Sequence, residues 1–424
     1  MKVLLLAVST PDLIMPTLPL GAVSVATAAR AVGHDVRLLE LPEGGDPAAA
    51  VAGAIADCAP DAIGLAVRNI DDQTMEGTRF LLDPLKIIAC TCRAHSKAPL
   101  ILGGAGYSMY PERLLEWLEA DIGIKGDGEA ALPAVLDHLG MGVDVSMLKG
   151  VYVRGRSPVK AMCAVPDMRR LVQPDPDLWP CAEQERAGLW LPFQTRRGCA
   201  LDCSYCSTAS IEGTTLRSRD PKIVAGHIRR HYEAGFRRFY CTDNTFNLPA
   251  DYARDLCHAL VRNGLPAVWS CIVYPYRVGE ELVADMARAG CAEVALGFES
   301  GSPVMLKNMN KRFSLFDVRH AARLFKKQNI RLNGYLLLGG PGETRETVRE
   351  SIEFADSLHL DFLKITTGIR IYPDTALART AVAEGVLGAD DDLLYPRFYL
   401  AKGLNGWIQE EIAGRTAERP HWKG

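Results

Sequence analysis

Short apolar runs alternate with helix-length stretches, twice over, and this constrains the fold more than any other feature of the chain. The first round opens with "KVLLLAV" (2–8), passes through the alanine-rich "PLGAVSVATAARAVGH" (19–34) and returns to "DVRLLEL" (35–41). "AIGLAV" (62–67), "PLILGG" (99–104) and "IGIKG" (122–126) follow, with helical patterns between them. Uninterrupted apolar strands with helices between them fit a parallel sheet covered on both faces, the doubly wound arrangement. Such sheets take ligands outside the carboxyl ends of their strands. Gly103, Gly104, Gly126 and Gly128 stand at those ends.

The second round begins at "LPFQTRRG" (191–198). Its strand candidates are "FRRFYCTD" (236–243), "VWSCIV" (268–273), "EVALGFES" (293–300), "LNGYLLLG" (332–339) and "FLKITTGIRIYP" (362–373). Six βα units predict a partial (β/α)6 barrel of the TIM type, whose active face lies at the carboxyl ends of its strands. The expected division is a Rossmann-like domain over 1–142, a connector over 143–190, the barrel over 191–380 and a short C-terminal tail over 381–424. Prolines at 158, 166, 174, 176 and 180 punctuate the connector, which holds one short strand, "GVYVRG". Its length suggests that it wraps over a site.

Composition narrows the function. The net charge is −3 with no basic run, which speaks against nucleic acid as a partner. No apolar run approaches the roughly 18 residues of a membrane span. The opening residues read as a buried strand rather than a signal peptide, so a cytoplasmic, reducing location is expected. There, clustered cysteines point to metal or catalysis rather than disulfides.

Such a cluster exists. In "TRRGCALDCSYC", Cys199, Cys203 and Cys206 fall into eight positions, while nine other cysteines are scattered. Three thiolates are one short of a closed tetrahedral site, and the spacing is not that of a zinc ribbon. They fit either a structural metal with a distant fourth ligand or an iron–sulfur cluster with one iron left open.

The loop "CALDCSYC", with an aromatic residue before its last cysteine, resembles the signature of the radical S-adenosylmethionine (SAM) enzymes. With a doubly wound domain ahead of it, the chain resembles their cobalamin-dependent branch. The resemblance implies a [4Fe-4S] cluster on the three cysteines, SAM on its open iron, and Tyr205 beside the adenine. It places Asp243 of "CTDNTFN", Glu299 and Ser300 of "GFESGS", Gly339 and Gly340 of "GGPGET", and Arg370 of "RIYPDT" around SAM. Read singly, an Asp-Asn pair is a helix cap and a Gly-Pro-Gly run a turn. Five such features in strand order at one barrel face make a site.

For cobalamin, the resemblance points to Arg68 and Asn69 of "GLAVRNIDDQ", Gly103 and Gly104 of "ILGGAGYSMYPE", and Gly126, Gly128 and Glu129 of "GIKGDGEAALPAVL". The alternative for the glycines is a plain nucleotide or phosphate loop, although no G-x-G-x-x-G follows the first strand. One departure stands out: no histidine lies in the D-x-H-x-x-G pattern that ligates cobalt from below, since His34 is in a turn and His138 late on a helix. Arginine offers no lone pair, so Arg68 is expected near the lower face without binding the metal, or else paired with Asp71 or Asp72.

The implied activity is methyl transfer to an unactivated carbon of a small molecule, using a 5′-deoxyadenosyl radical and methylcobalamin. A flavodoxin- or ferredoxin-type protein would deliver the electron. Alternatives are a cyclase or rearrangement enzyme of the same branch, and a cobalamin- or SAM-binding sensor with a vestigial barrel. Arsenic-directed aminocarboxypropyl transferases share the layout, but the cysteine-rich tail that would support their chemistry is absent.

Overall fold

A computed structural model describes residues 1–8, 18–41, 44–157 and 161–424; Pro158 of the connector lies outside them. The first sheet holds β1 (Lys2–Val8), β2 (Asp35–Leu41), β3 (Ala62–Ala66), β4 (Leu100–Gly103), β5 (Ile122–Ile124) and β6 (Val151–Val153). Their spatial order is β2-β1-β3-β4-β5-β6, parallel except for β6. This is a doubly wound sheet whose chain direction switches between β1 and β3. The antiparallel β6 comes from "GVYVRG", so the sheet extends past the expected close near Gly142 into the connector. Farther on, the connector lies against the sheet's carboxyl edge, where Asp127 N donates to Cys163 O (2.7 Å).

The second unit begins with β7 (Trp190–Phe193), followed by a short hairpin of β8 (Arg196–Arg197) and β9 (Arg217–Ser218). The barrel continues through β10 (Arg238–Cys241), β11 (Val268–Val273), β12 (Cys291–Glu299), β13 (Arg331–Leu338) and β14 (Phe362–Thr367). Past it come β15 (Ile369–Arg370), β16 (Phe398–Tyr399) and β17 (Trp422–Lys423). The large sheet runs β17-β14-β13-β12-β11-β10-β7, all parallel. Six of these strands are the expected ones. The seventh, β17, comes from the tail.

Alternation along the strands builds the barrel wall. In β12, Val294, Leu296 and Phe298 are buried, while Glu293, Ala295, Gly297 and Glu299 take the other face. Phe239, Trp269, Phe298 and Phe325 are nearly inaccessible and belong to the same apolar core. Helices carry their own stop and start signals; Ser314 caps Leu315–Lys327 in a reciprocal box with Asp317, an arrangement that contributes about 1 kcal/mol. Unlike a TIM barrel packed with branched side chains, this interior is polar and keeps a cavity. Among the described residues, no helix is long and apolar enough to cross a membrane.

Candidate active site

The three-cysteine loop follows β8 at the barrel's carboxyl edge and is pinned from three sides. Cys199 N donates to Gly213 O (3.1 Å), Ser204 N to Met309 O (3.1 Å), and Leu377 N to Ser204 O (2.8 Å). Cys199 and Cys203 are half-buried and Cys206 is exposed. Burial pushes the Cys199 and Cys203 thiols up, neighbouring thiols add to this, and Lys311 opposes it. The sulfurs therefore lie close enough to feel one another's charge. Yet among the described residues no three His, Cys, Asp or Glu groups converge on one ion.

Behind the loop sits a lysine that sequence reasoning missed. Lys311 Nζ donates to the Tyr205 hydroxyl (2.9 Å), lies 3.4 Å from Glu299 Oε1, and its side chain is 4% exposed. Burial alone would lower its pKa, but the Glu299 carboxylate outweighs that and the pKa rises. The ammonium therefore stays charged beside Cys203. Glu299 itself ends β12 with φ +62°, a left-handed conformation costly for a side chain with a Cβ. Its neighbour Lys311 stands in "NMNKRFS", where nothing in the local pattern marks it.

Other expected residues have different surroundings. Asp243 is buried and fully engaged: Oδ1 accepts from Thr195 N (2.8 Å) and Arg196 N (3.1 Å), and Oδ2 from Arg196 Nε (3.1 Å) and the Thr195 hydroxyl. The side chain next to it, Asn244, faces the cysteine loop instead. Its Oδ1 accepts from Thr208 Oγ1 (3.3 Å), which itself lies 3.2 Å from Cys206 Sγ. Asn244 Nδ2 also donates to Glu212 Oε2 (2.9 Å), a second residue the sequence did not reveal.

Ser300 turns into the core, bonded to Ser351 Oγ (2.9 Å). Gly339 takes φ +101°, and an added Cβ would lie 2.6 Å from the Leu400 side chain, so the turn requires glycine. The amides of Gly339 and Gly340 donate to Glu343 Oε2, whose carboxyl burial pushes up to about 7. Arg370 directs Nε to Asp71 Oδ2 (2.8 Å), NH1 to Ile371 O (2.6 Å) and NH2 to Leu393 O (3.0 Å). It lines a cavity, but its Nε serves a contact between the two domains.

Two cavities flank that contact. One, of about 580 Å³, fills the barrel from Tyr205, Glu299 and Arg370 down to Glu293 and Asn333. The other, of about 400 Å³, opens at the carboxyl edge of the first sheet. Arg68, Gly103, Gly104, Gly126, Gly128 and Glu129 line it; Asn69 lines neither. It extends beside Gly64, Ile101, Leu132 and Val25 as an apolar slot. At Gly104, with φ +108°, a Cβ would meet the Val67 carbonyl at 2.5 Å, so the loop after β4 closes on β3 only with glycine there.

Arg68 is accessible through this cavity yet surrounded by protein, and burial lowers its pKa against the pull of Tyr240 and Glu40. The alternative pairing with Asp71 is not made, since that carboxylate serves Arg370. Tyr240 lines the barrel cavity. A second tie crosses the domains where Arg197 NH1 meets Asp127 Oδ1 (2.8 Å) and Glu129 Oε2 (3.1 Å). Glu129 thus borders the slot while its carboxylate is spent on Arg197, whose charge outweighs burial and holds it below its usual range.

Comparisons with known proteins follow this division. Residues 194–355 match the Radical SAM superfamily, and residues 13–136 match the B12 binding domain. An uncharacterized methyltransferase of Pyrococcus horikoshii is 25% identical, over 87% of this chain and 79% of its own length. The cytidylyl-2-hydroxyethylphosphonate methyltransferase of Streptomyces wedmorensis is 23% identical over 98% of this chain and 89% of its own. In fold, the chain is similar to the radical SAM methyltransferase TsrM from Kitasatospora setae, solved with tryptophan and aza-SAM. That match has a TM-score of 0.85 at 22% identity, over 98% of this chain and 88% of the other.

Proposed function

The chain belongs to the cobalamin-dependent radical SAM enzymes, and on that premise we propose that it is a C-methyltransferase. It moves a methyl group from SAM, by way of methylcobalamin, to an unactivated carbon of a small molecule, using a 5′-deoxyadenosyl radical. The observation that carries this reading is the pair of cavities, one at the carboxyl edge of the first sheet lined by Arg68 and the glycine loops, the other in the barrel lined by Tyr205, Tyr240 and Glu299.

Cys199, Cys203 and Cys206 would hold the cluster, with Tyr205, Glu299 and Lys311 around SAM. The apolar slot and the glycine edge at Gly103, Gly104, Gly126 and Gly128 fit a corrin with its tail detached. When bound, these groups supply one-electron reduction of SAM and a transferable methyl group. The chain's own part is alignment and exclusion of water. Lys311 offers a buried cation to a carboxylate, and Arg68 presents a charge that cannot ligate metal. The exposed Cys206 fits delivery of electrons by a flavodoxin- or ferredoxin-type protein. All twelve cysteines are unpaired, which suits the reducing cytoplasm.

Methyl transfer of this kind consumes two SAM per product. Anaerobic turnover should release one 5′-deoxyadenosine and one S-adenosylhomocysteine for each methyl group transferred. Deoxyadenosine without the homocysteine product would instead mean cyclisation or rearrangement, and neither product would defeat the assignment as an enzyme.

A further inference from the structure

The floor of the barrel cavity carries polar groups that nothing above uses. β14 buries Leu363 and Ile365 on one face and turns Lys364 and Thr366 to the interior, where both line the cavity. The Lys364 side chain makes no hydrogen bond or ion pair with any described residue. The cavity's two arginines are both engaged, Arg370 with Asp71 and Arg79 with a partner of its own. On other strands of the same barrel, Ser270 is 2% exposed with its Oγ unpartnered, and Asn333 Oδ1 also lacks a partner. Both residues line the same cavity. Glu293, six residues before the end of β12, pairs loosely with Arg331 at 4.0 Å rather than with Lys364.

Buried polar groups left without partners are costly unless something completes them. An unpaired ammonium in this cavity can donate to an acid group, whereas Asn333 Oδ1, an acceptor, calls for an N–H or O–H elsewhere on the ligand. We propose that Lys364 reads the carboxylate of the methyl acceptor, a small monocarboxylic acid with a flat apolar body. This rests on the methyltransferase reading above. One free cation matches a single negative charge. A doubly charged phosphate would meet the carboxylates of Glu293 and Glu299 with only Lys364 to balance it. Tyr240, Tyr335 and Tyr372 line the cavity and supply aromatic walls for the body of the ligand. Lys364 lies three residues before the end of β14, roughly 10 Å below the rim at about 3.3 Å per residue. Anchoring the acid there leaves the far end of the molecule at the rim, near Tyr205.

The test is calorimetric binding to the anaerobic, cluster- and cobalamin-loaded enzyme with SAM present. Three matched probes are used: indole-3-propionate, indole-3-propanol and 2-(indol-3-yl)ethylphosphonate. The acid should bind roughly ten- to a hundredfold more tightly than the alcohol, the range expected for a charged hydrogen bond. Lys364→Met should erase that preference and Lys364→Arg should keep it, with SAM binding unchanged in both. A preference that survives in the methionine variant, an acid that does not bind, or a phosphonate that binds best would each overturn the proposal. Because the readout is binding alone, failure of the methyltransferase reading in a turnover assay would leave this result standing, and failure here would leave that reading untouched.

Discussion

Lys311 Nζ lies 2.9 Å from the hydroxyl oxygen of Tyr205, the residue just before the third cysteine. A cation walled in beside Cys203 stabilises a cluster that has gained an electron. Lys311→Met should therefore lower the midpoint potential. If the charge contributes about 1.5–3 kcal/mol, the fall is roughly 65–130 mV at 59 mV per tenfold for one electron. Redox titration followed by electron paramagnetic resonance reads it directly, and an unchanged potential would remove Lys311 from the electrostatics of the cluster.

The cysteines themselves give a composition. Anaerobic reconstitution should load about four irons and four sulfides per chain. Changing Cys199, Cys203 and Cys206 together to alanine should abolish loading and SAM cleavage while circular dichroism stays near wild type. Cleavage by the triple variant would refute the barrel assignment. Cys241, Cys257, Cys271 and Cys291 are buried, and replacing them should not alter iron content.

Asp243 and Glu299 should now separate. Asp243→Ala strands the buried Arg196 guanidinium, a change that costs about 3–5 kcal/mol; chemical denaturation should report it. Glu299→Gln should leave stability nearly intact and weaken SAM binding roughly ten- to a hundredfold. Equal stability losses in the two variants would contradict this division.

The Arg197 tie predicts a pH dependence. Burial opposes ionisation of Asp127 and Glu129, yet Arg197, joined at Asp127 by Arg217 and the Val165 amide, prevails and both carboxyls are held below their usual range. Their contribution is complete above the unfolded values near pH 4 to 4.5 and is lost as pH falls through the folded ones. Arg197→Met should cost about 3–5 kcal/mol at neutral pH, and the gap from wild type should shrink on acidification. A gap that does not change with pH would argue against the ion pair.

The proposed placement of Arg68 beneath the cobalt makes a spectroscopic prediction. The Co(II) form should lack the triplet splitting of a coordinated nitrogen, whereas Arg68→His should introduce it. Triplets in the wild type would place a ligand where a cation is expected.

Much of this could be read from the residues alone. Strand and helix periods were legible because each strand is apolar on at least one face, and the cysteine spacing marked its own loop. What escaped depends on partners distant in sequence. Asp71 and Arg370 pair across 299 positions, so "RIYPDT" gave no sign that its arginine joins the two domains. Asp243 drew attention as a free carboxylate because its pairing with Arg196 is tertiary, while its plainer neighbour Asn244 faces the cysteines. Lys311 looks like any lysine after a helix until folding buries it. The tail's "HWKG" was too short to read as a strand, since only pairing with Leu363 and Lys364 makes Trp422–Lys423 one.

Arg197 and Arg370 belong to segments at opposite ends of the barrel sheet, one after β7 and the other after β14, and each ties the barrel to the first domain. Rocking the domains apart about either end would pull charges from their partners at the other. The slow and fast exchanges of the molecule should therefore differ. A corrin seated between the domains should be acquired as the chain folds and remain through many turnovers, as a resident group. Small reactants should come and go past the partly exposed 72–79 loop at the cavity wall.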